Sequence, residues 1–334
     1  MKKAIQIGFF IFLVVLLTIN FFSCKKSSNK ITDTIGISKI VAHPALDATE
    51  QGIQDELKDL GFVNLNYDLQ NANGDVNAAK QIATKFKSEK VRIAVGIATP
   101  TAQALVGTLT EIPVVFSAVT DPVGAGLVTS LDKGEKNVTG ISDMTPVKEQ
   151  IKFLTQIKDI KRLGHVYTSS ETNAVRLAEI AKESCEELGI EFIETTVTNS
   201  AEVKQAVQSI IGRIDGLYIS TDNTVVSALG AVTEVAMKNN VPIISADPSS
   251  AETYDILVAW GFDYYKMGRA TGKMIAEILK GKNPENMPTR FMTDPSDVDL
   301  LINLDVAKKL GLKIPDNIIK IANKIVENGE LKTK

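Results

Sequence analysis

Cysteine is nearly absent from these 334 residues: there are two, Cys24 and Cys185. Cys24 closes an N-terminal apolar stretch, so Cys185 is left without a partner and no intramolecular disulfide holds the chain together. Histidine is as scarce, with His43 and His165 alone, and neither stands in a metal-ligand spacing. No glycine-rich phosphate loop follows a strand-like run. With so thin a catalytic inventory, the chain reads as a binding protein that carries no cofactor and no metal. A basic surplus is also missing. The formal net charge is −3, which gives no footing for nucleic acid, and no helix-turn-helix precedes Ile35. Aromatic residues make up 6 % of the chain, with one tryptophan, Trp260.

What is present begins at the N-terminus. Lys2 and Lys3 lead into an apolar stretch from Ala4 to Phe22, followed by Ser23-Cys24 and then Lys25-Lys26. Residues 1–23 read as a secretory signal. Cleavage before Cys24 would leave that residue to carry the lipid, and residues 24–33, rich in Ser, Asn and Lys, would form a flexible tether. An uncleaved anchor is the alternative, the apolar stretch being close to the ~20 residues that span a bilayer. Both readings put the rest of the chain in the cell envelope, held at a membrane and facing the periplasm or exterior. Removing 23 residues leaves 311, more than one core usually supports, so two lobes are expected.

The chain repeats itself once. Ile35-Gly36 and Leu60-Gly61-Phe62 recur 128 residues later as Leu163-Gly164 and Leu188-Gly189-Ile190. Ile112-Pro113-Val114-Val115 and Asp121-Pro122 are echoed by Val241-Pro242-Ile243-Ile244 and Asp247-Pro248 at nearly the same offset. Short apolar runs alternate with helical patterns at Ala48 to Leu60, Val76 to Lys87, Val175 to Leu188 and Thr224 to Lys238. That alternation implies an α/β fold of two similar doubly wound parallel sheets. Crossings near Ser142-Asp143, Gly261-Phe262-Asp263 and Pro295 divide the chain into one lobe of residues 34–142 plus 263–294 and another of 143–262 plus 295–334. Three crossings would make a hinge.

Ligands of open parallel sheets lie beyond the strand carboxyl ends, so the loops there are the candidate site. In the first lobe these carry His43, Ala98-Thr99, Ser117-Ala118 and Thr120-Asp121, with Asp143 at the crossing. In the second they carry Thr168-Ser169, Asn173, Thr221-Asp222-Asn223 and Asp247. Taken singly, Thr, Ser, Asp or Asn at such places is an ordinary helix cap. Their convergence on one cleft argues for ligand contact. Trp260 and Gly261 stand just before the second crossing, with Trp260 fitting a pocket wall or a core equally well. His165, inside an apolar run, reads as a core residue.

The same loops resemble the tryptophan/tyrosine-type substrate-binding family of ABC transporters, which has the type I periplasmic-binding-protein fold. The resemblance covers residues 35 to 316. It rests on His43-Pro44-Ala45-Leu46-Asp47, Ala98-Thr99-Pro100, Asp121-Pro122-Val123-Gly124-Ala125-Gly126-Leu127-Val128, Asn137-Val138-Thr139-Gly140, Thr221-Asp222-Asn223, Gly261-Phe262-Asp263-Tyr264-Tyr265 and Ala307-Lys308-Lys309-Leu310-Gly311. It implies capture of a small zwitterionic solute, an amino acid and among those an aromatic one, by a monomer that hands it to a permease with a cytoplasmic ATPase. It also places the ligand's carboxylate near Thr99 and Ser117, and its amino group on Asp247 or Asp222, ahead of Asp121 and Asp143. Asp255-Ile256-Leu257-Val258 is bulkier than the family pattern. A tethered sensor with the same clamp, or an importer component for nucleosides or sugars, fits the residues as well.

Overall fold

The computed structural model describes residues 33–334; the signal segment, Cys24 and all of the tether but Asp33 lie outside them. The first lobe is laid down by β1 (Thr34–Lys39), α1 (Pro44–Asp59), β2 (Asn66–Asn71), α2 (Val76–Glu89), β3 (Ile93–Ile97), α3 (Thr99–Thr108), β4 (Val114–Val119) and β5 (Val138–Ser142). These strands are all parallel, in the order β2-β1-β3-β4-β5. The inner strands β3 and β4 are buried at every position, as both-sided helix cover requires, and so read as continuous apolar runs.

The second lobe starts with α4 (Val147–Thr155). It continues through β6 (Arg162–Thr168), α5 (Thr172–Leu188), β7 (Glu191–Val197), α6 (Val203–Ile210), β8 (Gly216–Ile219), α7 (Asn223–Ser227), α8 (Leu229–Lys238), β9 (Ile243–Ser245), α9 (Pro248–Ala251) and β10 (Val258–Phe262). Its parallel strands run β7-β6-β8-β9-β10, the order of the first sheet over again. The helix expected over Thr224 to Lys238 is two helices, because Ala228 leaves the helical region at φ −109° and ψ 19°. A separate short α7, capped by Asp222, therefore stands at the strand end.

After β10 the chain returns to the first lobe as α10 (Tyr264–Leu279) and β11 (Arg290–Phe291), which adds to β5 in parallel. It then crosses back into β12 (Val298–Asn303), α11 (Leu304–Lys309), α12 (Asp316–Ile321), β13 (Lys324–Glu327) and β14 (Glu330–Thr333), all joined to the second sheet. The periodicity points to parallel strands, yet β12 is antiparallel to β10, with Phe262 opposite Val298. Direction of travel explains it. β10 delivers the chain to the first lobe at its carboxyl end, and β12 receives it from that lobe, so the two must run opposite ways. Asp263 N–H donates to the Asp297 carbonyl (2.8 Å), closing the ladder at the crossing.

Helices that follow the crossings pack in the lobe they enter: α4 against α5, and α10 against α1. The α1–α10 contact is made by backbone. A Cβ on Gly268 would stand 2.2 Å from the Thr49 carbonyl oxygen, and one on Gly52 would stand 2.3 Å from that of Tyr265. Arg269 spans the same seam to Glu56 (2.5 Å) and Asp59 (2.6 Å). Gly268→Ala should therefore lower unfolding stability in urea by about 2–3 kcal/mol through overpacking. Gly61→Ala, at φ +88° with nothing nearby, should cost only about 1 kcal/mol of backbone strain. Equal losses at the two positions would show that the helices can part freely.

Candidate functional site

The strand ends of the two sheets meet around one cavity. His43, Ala45 and Leu46 reach it from the start of α1, and Ala118 and Thr120 from the end of β4. Asp143 and Tyr264 come from the first and second crossings. The second lobe supplies Asn173 from α5, then Thr221, Asp222, Asn223 and Val226 around the start of α7, and Asp247 ahead of α9.

Local sequence explains how the acids come to be there. Asp222 and Asp247 each follow a strand within three residues, cap the next helix, and accept from Val225 N–H (2.9 Å) and Ser249 N–H (3.0 Å). This satisfies helix-start donors that would otherwise lack a partner. Asp222 also accepts from Thr168 N–H (2.6 Å) and Oγ1 (2.9 Å). Asp247 also accepts from the Ser249 hydroxyl (2.6 Å) and from Ser250. Asp143 accepts from two hydroxyls: Thr120 Oγ1 at 3.2 Å and Tyr264 OH at 3.0 Å.

No lysine or arginine lines the cavity. Burial pushes the Asp143 carboxyl up to about 6, against the opposing pull of the Tyr264 and Thr120 hydrogen bonds. Burial, and next the Glu171 charge, raises Asp222 as well. Glu171 is itself buried behind α7 and accepts from Asn223 Nδ2 (2.6 Å) and Thr224 Oγ1 (2.8 Å). His43, the one potential cation of the lining, is shifted down by burial, while the Asp247 and Asp47 carboxylates pull the other way. Three lining atoms have no hydrogen-bond partner: His43 Nδ1, Asn173 Oδ1 and Thr221 Oγ1. Among the described residues no cluster of His, Cys, Asp and Glu could hold a metal.

Of the residues expected from the sequence, the structure gathers His43, Ala118, Thr120, Asp143, Asn173, Thr221, Asp222, Asn223 and Asp247 on this cavity. The others stand off it. Ala98, at φ +77°, turns β3 into α3 and donates to the Ser117 carbonyl (2.9 Å). Thr99 is buried in the first turn of α3. Ser117 Oγ pairs with Thr271 Oγ1 (2.7 Å), tying β4 to α10. Thr168 spends its donors on Asp222. Asp121 accepts from Gly124 N–H (2.8 Å) and lies with Ser169 and Arg176 in a separate groove at the rim. Trp260 packs on Phe153, ring centroids 5.6 Å apart, beside the second lobe's core. Gly261 lies against the Ala246 carbonyl, where a Cβ would come within 2.0 Å. Ile256, Leu257 and Val258 are fully buried in that lobe's cores and leave the cavity untouched.

Sequence reasoning missed Ala45, Leu46, Val226 and Tyr264. Ala45, Leu46 and Tyr264 sit in motifs that carry the family resemblance, next to His43 and the second crossing. Val226 offers no signal, being one apolar residue in a helix.

This is a type I periplasmic-binding-protein fold: two parallel α/β lobes, a three-segment crossing and a cavity at the strand ends. Residues 34–326 match the family described as ABC transporter substrate binding protein, and the chain belongs to that family. A tyrosine-binding protein of Clostridioides difficile (strain R20291) is 36 % identical over 293 residues, 86 % of this chain and 84 % of that one. A Streptococcus pneumonia ABC domain in complex with L-Trp superposes with a TM-score of 0.84 at 31 % identity, covering 88 % of this chain and all of that one. The ligand-free, open structure of a Clostridium difficile substrate-binding protein with adhesive properties is 38 % identical, over 85 % of this chain and 96 % of that one, yet its TM-score is 0.64.

The acid at the crossing makes stability depend on pH. An unfolded aspartate titrates near 3.9, whereas Asp143 in the fold titrates at about 6. Between those values the folded protein keeps a proton that the unfolded chain has released. Asp143 therefore favours the fold at low pH, and this contribution is lost as pH rises through the folded value. His165 acts in the opposite sense, its folded value being held down to about 4 by burial. Comparison with Asp143→Asn isolates the acid. From pH 4 to pH 7 the stability of the ligand-free wild type should fall relative to Asp143→Asn by on the order of 2 kcal/mol, as read by denaturant melts. A flat difference would mean that Asp143 stays ionised.

Proposed function

We propose that this chain is the extracytoplasmic binding component of an ABC importer, closing two lobes over a small zwitterion, an α-amino acid, and handing it to a permease driven by a cytoplasmic ATPase. One observation carries the reading: three buried carboxylates face a cavity that holds no lysine or arginine, beside the unpaired acceptor Asn173 Oδ1. So many acceptors call for a donor-rich cation, and an ammonium brings three N–H donors and the missing charge. The names of the relatives, tyrosine-binding and L-Trp-bound, point to the same ligand class.

Asp143 takes the ammonium in this reading. A carboxylate has about four lone-pair sites. Asp222 and Asp247 each use three of theirs within their own lobe, and Asp143 uses two. The ranking from the sequence puts Asp247 or Asp222 first; the proposal puts Asp143 ahead of them because of their capping duty. The ligand's carboxylate meets the turn from Ala118 to Thr120, one residue on from Ser117. Ala118 holds a left-handed backbone there, at φ +55°, a conformation that costs a non-glycine residue energy and marks functional loops.

Closure follows population shift: ligand contacts to both lobes stabilise an arrangement that the empty clamp also samples. The lobes are residues 34–142 plus 263–294 and 143–262 plus 295–334, and Cys24 carries the lipid that keeps this monomer near its permease. Among the described residues no helix is long and apolar enough to cross a membrane.

Titration calorimetry of residues 33–334 against L-amino acids, sugars and nucleosides tests this. Saturable binding of an amino acid is expected, lost when either its amino or its carboxyl group is removed. Asp143→Asn should weaken it by roughly 30-fold or more, the usual cost of unpairing a buried charge, and Asp222→Asn by less. Binding of sugars or nucleosides alone would refute the zwitterion site.

A further inference from the structure

The polar lining accounts for the ends of an amino acid but leaves open what receives its side chain. Apolar surface reaches the cavity from few places. Besides the methyls of Ala45 and Ala118 and the ring of Tyr264, only Leu46 and Val226 present branched hydrocarbon. Leu46 lies in the first turn of α1 and belongs to the first lobe's core, while Val226 lies in α7 and belongs to a core of the second. Both are almost fully buried, at 3 % and 5 % exposed. Each lobe's hydrophobic core therefore comes through to the cavity at one branched side chain, and the two come from opposite sides of the cleft.

We propose that Leu46 and Val226 are the specificity-determining pair: they grip the ligand's side chain between the lobes, select amino acids with apolar side chains, and set the size accepted. The inference rests on the amino-acid reading above. An apolar side chain there would join the two cores and bring no polar group of its own that needs a partner. An acidic side chain would add a carboxylate to a cavity already lined by Asp143, Asp222 and Asp247, with no lysine or arginine to receive it. A hydroxyl or amide between Leu46 and Val226 would find no partner on either, and burying it unpaired is unfavourable.

Pocket walls of this kind discriminate by volume, one methylene being worth roughly 10-fold or more in binding. The test is calorimetry with leucine, phenylalanine, tryptophan, serine, glutamate and lysine against wild type, Leu46→Ala, Val226→Ala and Val226→Thr, each checked for an intact far-UV spectrum. Val226→Thr keeps the shape and replaces a methyl with a hydroxyl, so it separates polarity from space should an alanine variant misfold. Wild type should prefer the apolar set. Either alanine variant should raise the affinity ratio of tryptophan to leucine by about 10-fold, and Val226→Thr should weaken every apolar ligand while leaving that ratio near its wild-type value. Amino-acid binding with an unchanged ratio in both alanine variants, or a preference for polar side chains, would overturn the pair and leave the amino-acid reading standing. Failure of wild type to bind any amino acid would overturn both.

Discussion

The close approach of α1 to α10 is the contact on which the two-lobed arrangement depends. α10 follows the last parallel strand of the second sheet, yet Met267, Met274 and Ile275 complete the core of the first. Gly52 and Gly268 let the two backbones touch, and the Thr49 hydroxyl donates to the carbonyls of Ala45 (3.0 Å) and Tyr264 (3.3 Å). Tyr264 opens α10, and its hydroxyl reaches Asp143 at the neighbouring crossing. This helix seam thereby sets the position of two cavity residues, and a change in how the helices sit would be felt at the acid.

The cavity also shows how one residue type can serve folding and recognition together. Asp222 and Asp247 hold fixed backbone donors at the starts of α7 and α9, which stiffens their loops and uses up most of their acceptor capacity. Asp143 has no such duty. It is a buried carboxyl with two rotatable hydroxyl partners and no cation, an arrangement unfavourable to its charge until something positive arrives. Stiff acids shape the site, and in the proposed reading a loosely held one responds to the ligand.

Much of this architecture was legible from residues. The offset between Leu60-Gly61 and Leu188-Gly189, and between Pro113 and Pro242, reports two lobes because a duplicated fold repeats its turns, and the two sheets do share one strand order. Placing loops at strand ends was enough to bring Asn173, Asp222 and Asp247 together with His43 and Thr120. Periodicity could not tell which way a given side chain faces. Ser117 looks like its neighbour Ala118 in the sequence, but alternation along β4 turns its hydroxyl to Thr271. Thr168 reads as a ligand group in the sequence, and the structure pairs it with Asp222, a pairing between residues 54 apart that no local pattern encodes. Trp260 was balanced between wall and core, and Phe153, a residue of α4, decides for the core. The antiparallel β12 escaped notice because strand direction is set by where the chain comes from and not by its composition.

The chain's exchange of helices between lobes is reciprocal. α4 follows the fifth strand of the first half and packs on α5 of the second, just as α10 follows the fifth strand of the second half and packs on α1 of the first. Cut into its two repeats, the sequence would give pieces that each lack the helix covering their own first βα unit and carry the helix that the other needs. That is the pattern left by domain swapping. An ancestral single-lobe chain that traded this helix with a second copy of itself would, once the two genes fused, give the connectivity seen here, with the former dimer interface as the cleft.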